Sequence, residues 1–479
     1  MKDLTNGDVG KSIILFAIPM LIGNLFQQLY NVVDSIVVGK YVGHVALAAV
    51  GASFPILFTI MAMAGGVTMG SSILISQYFG AKNLRDVKIS SDTLQIFLII
   101  SSLILSVVFF LFSKQIFTLL KVPDEVMPQA IRYFDIIILT TTLPSFAMHG
   151  ISAVLRGVGN SLTPIYFMVG SLVLNIILDM LFVLGFGWGI DGVAWATTIA
   201  TIAGWISLWV YVNRKMDSIV RFTLNFHKWN FNRKNFRLAL RIGLPTGIQQ
   251  TLVGLGAMAL ISIVSPFGTP VLAAYTAAGR IDMFVSMPSM NLAAALSTFV
   301  GQNLGGGRFD RIKKGLRVSL IYSTIFCALL TLVVIFFGDE IMWLFAEKNS
   351  PYFDQIIKIG REYLVIVSSF YIVFTTMFVV NGVIRGAGAT FVPMLITTLS
   401  LWVVRVPLAV ILSKHFGESG IWWSIPIGWA IGCAGAIIYY RSGLWKKHRV
   451  RAVSSSVPTE LESQNCKVQN IKQSVTSSR

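Results

Sequence analysis

Long apolar stretches alternate with short polar segments along almost the whole chain. A helix needs roughly 17 to 25 mostly apolar residues to cross a bilayer, and twelve stretches reach that length with few charges. This pattern predicts an all-α polytopic membrane protein. The twelve predicted spans have the approximate limits 12–38, 45–78, 89–112, 130–153, 161–186, 190–212, 238–264, 271–300, 315–337, 357–382, 391–413 and 420–440.

Two of the apolar runs are longer than one span. We predict that residues 45–81 form one long tilted helix with a loop, and that SPFGTP at 265–270 breaks the run 242–279, because proline and glycine disfavour a continuous helix. The first span is expected to be a permanent anchor rather than a cleavable signal, since it is too long and eleven more spans follow it.

An internal repeat organises these spans. QYFGAKNLRDVK (77–88) recurs as QNLGGGRFDRIK (302–313), 225 residues later, and LRGVGNSLTP (155–164) recurs as IRGAGATFVP (384–393), 229 residues later. Each copy holds six spans, and an even number brings both copies into the membrane from the same side. We therefore predict two parallel six-helix repeats, related by an axis along the membrane normal, with a cleft between them.

The repeat divides the chain into five parts. These are an N-terminus at 1–11, an N-lobe of helices 1–6 at 12–212, a basic linker at 213–237, a C-lobe of helices 7–12 at 238–440 and a tail at 441–479. The end of the tail is rich in Ser, Gln and Thr, which predicts disorder. The N-terminus, linker and tail are all expected in the cytoplasm.

The composition supports a membrane protein, because the mean hydropathy is +0.73 and only 12% of the residues are charged, about half the fraction of a soluble domain. The net charge of +17 would also fit a protein that binds nucleic acid. However, 28 of the 38 lysines and arginines fall in the termini, in the even-numbered loops and at the adjoining span ends. This positive-inside bias predicts an inner-membrane protein with both termini in the cytoplasm. We expect the lipid bilayer, and no nucleic acid, among its partners, and a monomer.

No motif of an enzyme is apparent. The three cysteines and five histidines have no metal-ligand spacing, and the sequence GxxxxGK[ST] of an ATP-binding loop is absent. We therefore predict that the chain is not an enzyme, has no cofactor and carries no ATP motor of its own.

Carboxylates inside two predicted spans are the strongest functional signal, since a charge in the hydrocarbon costs about 2.5 kcal/mol or more and usually has a role. Asp34 lies near the outer end of span one, and Asn175 and Asp179 share one face of span five. Thr197 and Thr198 lie about one to two turns below the outer start of span six, at a similar depth. These oxygens predict a site for a proton or for Na⁺. Alternatively, Asp34 and Asp179 lie close enough to the outer interface to stay hydrated, with one of them attracted to Lys40.

Polar residues in the second repeat have less certain roles. Arg280 and Asp282 lie about 15 Å into span eight, two residues apart, so that each needs a separate partner. Arg405 also lies deep in a span. Arg280, Asp282 and Arg405 are suited either to ion pairing between helices or to contact with a substrate. The residues that we predict as cleft or substrate contacts are Gln27, Asn31, Gln249, Arg280, Asp282 and Met287.

Several of these motifs together resemble the multidrug and toxic compound extrusion family of transporters, over residues 10–440. They are IP (18–19), VVDSIVVGKYVG (32–43), QYFGAKN (77–83), NIILD (175–179) and the two RG-containing copies. The resemblance implies a two-lobed bundle that exports amphipathic, often cationic, organic compounds in exchange for protons or Na⁺. The chain is similar to the branch of this family whose first helix carries an acidic residue. The resemblance implies that the coupling site of that branch corresponds here to Asp34, Asn175, Asp179 and Thr197. Another branch of the family places acidic coupling residues in spans seven and ten, whereas residues 238–264 and 363–382 of this chain carry none.

The resemblance and the buried acids together predict alternating access. Ion binding at Asp34 and Asp179 is expected to let span one bend or reseat near Pro19, which lowers the affinity for drug and favours the inward-facing state. A flippase for lipid-linked precursors is the main alternative, and a strongly cationic cleft able to hold pyrophosphate would favour it.

Overall fold

The fold is a bundle of α-helices, and the computed structural model describes residues 2–216, 219–222, 230–343 and 351–448. The helices of the first half are α1 Val9–Val37, α2 His44–Gly80, α3 Leu84–Leu111, α4 Ser113–Leu119, α5 Met127–Thr140, α6 Thr142–Gly157, α7 Leu162–Asp179 and α8 Gly189–Lys215. Those of the second half are α9 Arg233–Val264, α10 Thr269–Gly305, α11 Phe309–Trp343, α12 Phe353–Ser368, α13 Tyr371–Gly386, α14 Phe391–Leu399, α15 Val406–Phe416 and α16 Glu418–Ser442.

The predicted all-α membrane fold is confirmed. Within the described ranges, ten helical segments are long and apolar enough to cross a membrane, and two bent helix pairs bring the number to twelve. The predicted break at 265–270 is present, since α9 ends at Val264 and α10 begins at Thr269. The loop predicted within 45–81 is wrong, because α2 continues through Pro55 to Gly80 as one helix of 37 residues.

The two halves repeat each other in detail. Both second helices, α2 and α10, have 37 residues. The fourth span of each half is bent, by 47° between α5 and α6 and by 48° between α12 and α13. Helix α7 continues into a π-helical turn at Met180–Gly185, and α14 continues into one at Ser400–Arg405. The part of the predicted linker at 217–218 and 223–229, and the tail from 449, lie outside the described residues.

The first helix of each half shares its packing between the halves. Val9, Ile13 and Phe16 of α1 are buried in a cluster with α10, α11 and α13, whereas Val37 at its other end is buried with the first half. In the same way α9 buries Ala239 with the first half, and its later residues, such as Leu260, with the second. Each of these helices contains a proline, Pro19 in α1 and Pro245 in α9.

The two halves make close contact at the end of the bundle that carries residues 2–8 and 444–448, which we call the terminal end. Leu4 and Trp445 are both buried in the cluster that contains the start of α1. Further from this end, Gly66 and Gly70 of α2 lie directly against Gly243 and Gly247 of α9. Side chains larger than hydrogen would force these helices apart, so the glycines set how closely the halves approach.

Candidate ion-binding site

Asp34 lies in the last turn of α1, immediately before a π-helical turn at Val38–Val42. Its backbone carbonyl accepts the N–H of Val38, where the helix widens. The side chain is half-buried, and Oδ1 is inaccessible and has no hydrogen-bond partner among the described residues. A buried carboxylate oxygen without a donor is costly, so this atom is suited to a proton or a cation.

Asp179 is the last residue of α7 and also precedes a π-helical turn. It is only 1% exposed, and its Oδ1 likewise has no partner within the described ranges. Its other oxygen, Oδ2, lies 3.1 Å from the side-chain nitrogen of Asn175, in the amide orientation that satisfies both ends of Asn175. The four-residue spacing therefore places both side chains on one face, as expected for a helix.

Helix α8 completes the site with Thr197. In the same orientation, the amide oxygen of Asn175 accepts the backbone N–H of Thr197 at 3.1 Å. The hydroxyl of Thr197 lies 3.4 Å from that of Tyr30 on α1. Thr198 faces another way, since its hydroxyl bonds to those of Thr140 and Thr141. The structure thus brings together all four predicted residues and favours Thr197 over Thr198.

Two tyrosines that the sequence reasoning missed surround the acids. Tyr30 and the buried Tyr133 both lie close enough to Asp34 and Asp179 to interact with them electrostatically, and the two carboxylates interact with each other. Tyr30 is four residues before Asp34 on the same helix face, a spacing that could have identified it. Tyr133 comes from α5, and no local pattern links it to Asp34.

A π-helical turn follows each of the two acids along the chain. The turn after Asp34 packs against both the turn after Asp179 and helix α8. A π turn displaces the following residues around the helix axis and is common at functional sites. Here a π turn follows each acid, so both carboxylates lie next to a widened part of the backbone.

The acids have no basic partner in the described part of the chain. Its three ion pairs are Lys88 with Asp92, Arg132 with Asp191, and Arg361 with Asp339. Lys40 lies over the ring of Tyr41 instead, 5.5 Å from its centroid. Pairing of Asp34 with Lys40 is therefore not observed.

The donor set limits which ions suit the site. No group of three or more His, Cys, Asp or Glu side chains that could hold a metal occurs in the described ranges. Two carboxylates with an amide and a hydroxyl suit a proton or a monovalent hard cation such as Na⁺ better than a divalent ion, which is usually bound by more oxygen ligands.

Comparison with known proteins identifies the family. The family model described as MatE matches residues 19–181 and 245–411. The chain belongs to the MatE family. It is 31% identical to the "Probable multidrug resistance protein YoeA" of Bacillus subtilis, over 92% of this chain and 95% of that protein. It is 25% identical to the "Probable multidrug resistance protein NorM" of Thermotoga maritima, over 92% of this chain and 94% of that protein.

Solved structures support the same fold. The structure described as the outward-facing conformation of a multidrug resistance MATE family transporter superposes with a TM-score of 0.85 at 24% identity, covering 93% of this chain and 99% of that one. A crystal structure of MATE in complex with MaL6 gives a TM-score of 0.83 at 25% identity, covering 93% and 99%. The two matched segments of the MatE model correspond to the two repeats seen in the sequence.

The residues predicted to face the cleft of this MatE chain have different environments. Gln27 and Arg280 are exposed. Gln249 is only 6% exposed and Met287 only 8%, so neither lies on an open surface in this structure. Gln249 instead accepts a hydrogen bond from Arg385 and donates one to Thr397. The side chain of Asn31 lies outside the described residues.

Asp282 lies in a polar cluster within the second half. Tyr363 donates to its Oδ2 at 2.7 Å, and Tyr371 donates to its Oδ1. Arg405 lies close enough to interact electrostatically, without forming an ion pair among the described residues. Both oxygens of Asp282 are therefore satisfied by hydrogen bonds, unlike those of Asp34 and Asp179.

Proposed function

We propose that this MatE chain is a secondary active exporter that exchanges amphipathic, often cationic, organic compounds for protons or Na⁺. The supporting observation is the pair of buried carboxylate oxygens on Asp34 and Asp179, which have no donor among the described residues. Relatives named as multidrug resistance and multidrug export proteins support the choice of cargo.

The terminal end is proposed to face the cytoplasm. It carries the basic segment after α10 and the basic residues 446 and 447, and an excess of lysine and arginine marks cytoplasmic loops. In this orientation Asp34 and Asp179 lie toward the outside, where an ion could enter from the periplasmic or extracellular face. The protein is then a multi-pass protein of the inner membrane with both termini in the cytoplasm.

Ion binding is proposed to change the balance between two conformations. Neutralising Asp34 and Asp179 removes their mutual repulsion, so α1 can bend or reseat near Pro19. This lowers the affinity for drug at the outside and favours return to the inward-facing state. Each ion that moves down 100 mV supplies about 2.3 kcal/mol, which supports a drug gradient of more than tenfold, at about 1.4 kcal/mol per decade.

The cargo is proposed to bind between the halves. Met258 and Met283 are 59% and 50% exposed, and Gln28 of α1 donates to the sulfur of Met283 at 3.6 Å. Methionine adapts to ligands of varied shape, which suits a multidrug surface. The flippase alternative has less support, since of the two deep arginines noted in the sequence Arg405 lies beside Asp282 and only Arg280 is exposed.

Transport into inverted vesicles tests the proposal. Vesicles that contain the protein should accumulate a fluorescent organic cation when a proton gradient or a Na⁺ gradient is imposed, each in turn, and the effective gradient identifies the ion. Asp34→Asn should reduce gradient-driven accumulation at least tenfold while membrane insertion is unchanged. Asp339→Asn is the matched control, because it removes a carboxylate that pairs with Arg361 away from the site. Full transport by Asp34→Asn would refute the assignment.

A further inference from the structure

We propose that Gln77 and Gln302 form two equivalent latches that hold the terminal end closed, and that this end opens only when both amides leave their carbonyl partners. The inference rests on the proposed alternation between two conformations. It assigns specific residues to the gate on the side opposite the ion site.

Each glutamine makes a buried hydrogen bond to the other half of the molecule. Nε2 of Gln77 on α2 donates to the backbone carbonyl of Gly386 on α13, at 3.0 Å. Nε2 of Gln302 on α10 donates to the carbonyl of Gly157 on α6, also at 3.0 Å. The side chains are 1% and 0% exposed. Bonds so well shielded from water hold the two halves together at this level.

The two bonds are copies of each other. Gln77 begins the motif QYFGAKN and Gln302 begins its repeat QNLGGGR, while Gly157 and Gly386 are the glycines of LRGVG and IRGAG. QYFGAKN of the first half thus bonds to IRGAG of the second half, and QNLGGGR of the second half bonds to LRGVG of the first. If the bond from Gln77 joins the two halves, the repeat symmetry requires an equivalent bond from Gln302. Packing within one half would not produce this exchange.

Glycines allow the halves to approach closely enough for these bonds. A Cβ atom at Gly80 would overlap the carbonyl oxygen of Gln302, and one at Gly305 would overlap that of Gln77. These glycines lie three residues after Gln77 and Gln302, one turn along the same helices. The close contact and the latches therefore form one joint, repeated on both sides of the axis.

The latch at Gln302 has an additional connection. Its Oε1 accepts the backbone N–H of Leu4 at 2.9 Å, and Asn303 donates to the carbonyl of Leu4 at 3.1 Å. Leu4 comes just before α1, the helix that carries Asp34 at its other end. A displacement of α1 caused by the ion therefore reaches Gln302 directly through residues 4–8.

Labelling of a cysteine at the joint tests the proposal without substrate or ion gradient, so its result is independent of the exported compound. Ser76 is fully buried with its hydroxyl against Gly301 of the other half, and Ser76→Cys becomes reactive to water-borne reagents only when the joint opens. The parent protein carries this substitution together with Cys327→Ser, Cys433→Ser and Cys466→Ser. Inverted vesicles are treated with a membrane-impermeant maleimide, which reaches the terminal end.

Gln77→Leu and Gln302→Leu should each increase the labelling rate about two- to tenfold, the change in an equilibrium that loss of one hydrogen bond produces. The double variant should exceed either single variant. Gln95→Leu is the matched control, since Gln95 is also buried but contacts Gly150 within its own half, and its labelling rate should stay at that of the parent.

A second pair of substitutions tests the proposal if the leucine variants do not fold. Gln77→Asn and Gln302→Asn keep a polar amide but withdraw it by about 1.5 Å, so the bond to the carbonyl is lost and labelling should rise in the same way. Equal labelling of the parent and of the folded variants would overturn the latch. An equal rise in Gln95→Leu would also overturn it, because the effect would then reflect general loosening.

Discussion

At the scale of single residues, the buried carboxylates of the two halves differ in what surrounds their oxygens. Asp34 and Asp179 each have an oxygen without a donor among the described residues. Asp282 receives a tyrosine hydroxyl on each oxygen. The first arrangement is ready to accept an ion, whereas the second is already satisfied. We infer that Asp282 stabilises the second half and does not take part in coupling.

Tyr371→Phe tests this stabilising role. Removing the hydroxyl leaves one oxygen of Asp282 without its donor, which should cost about 1 to 3 kcal/mol in free energy of unfolding. A thermal unfolding measurement in detergent should show a lower midpoint than for Tyr166→Phe, where the ring is 65% exposed. Gradient-driven transport per folded molecule should be retained. Unchanged stability with loss of coupling would reverse the assigned roles.

Single-residue predictions from the sequence succeeded where neighbours lie on one helix. Asn175 and Asp179 share a face because four residues separate them, and this could be read directly. The burial of Gln249 and Met287 could not be predicted from the sequence. The apolar pattern of a membrane helix does not distinguish a surface that faces a cleft from one that faces another helix. The latches also required the structure, since Gln77 and Gly386 are brought together only by the contact between the halves.

At the scale of elements, α1 and α9 join the halves by packing one end with each. Pro19 lies inside α1, near the end that packs with the second half, and a proline in a helix removes a hydrogen bond and permits bending. The sequence predicted the spans because hydropathy determines their length. It did not predict the bends at the fourth and tenth spans or the π-helical turns, since these depend on packing between helices.

Pro19→Ala should slow transport by severalfold, because alanine restores a straight helix and hinders the bending of α1. The measurement is the rate of drug accumulation in inverted vesicles under the effective ion gradient. Pro55→Ala is the control, since Pro55 also lies inside a long helix, α2, but in one that carries none of the ion-site residues Asp34, Asn175, Asp179 and Thr197. Equal slowing in both variants would contradict a specific hinge at Pro19.

Adjacent glycines in α2 test the close contact between α2 and α9. A Cβ at Gly66 would lie 2.7 Å from the nitrogen of Gly247, whereas one at Gly65 would meet nothing within 4 Å. Gly66→Ala should therefore lower the free energy of unfolding by about 1 to 3 kcal/mol through overpacking. Gly65→Ala should be neutral or slightly stabilising. Chemical or thermal unfolding in detergent distinguishes them, and equal stabilities would exclude tight packing at Gly66.

At the scale of the whole molecule, the ion site and the latches lie toward opposite ends of one helix. Asp34 is near the end of α1, and Leu4, which bonds to Gln302, comes just before its start. We therefore expect α1 to connect ion binding with closure of the terminal end. Linkage then requires that drug binding change ion affinity by the same factor as ion binding changes drug affinity.

Release of the ion on drug binding measures this linkage most directly. Purified protein in weakly buffered detergent is mixed with an amphipathic cation such as tetraphenylphosphonium, and released protons or Na⁺ are recorded with an indicator dye or an electrode. The unaltered protein and Asp282→Asn should both release the ion, and Asp34→Asn should release at most about a tenth as much, in line with a coupling of 1 to 3 kcal/mol. Equal release from Asp34→Asn and the unaltered protein would contradict the account.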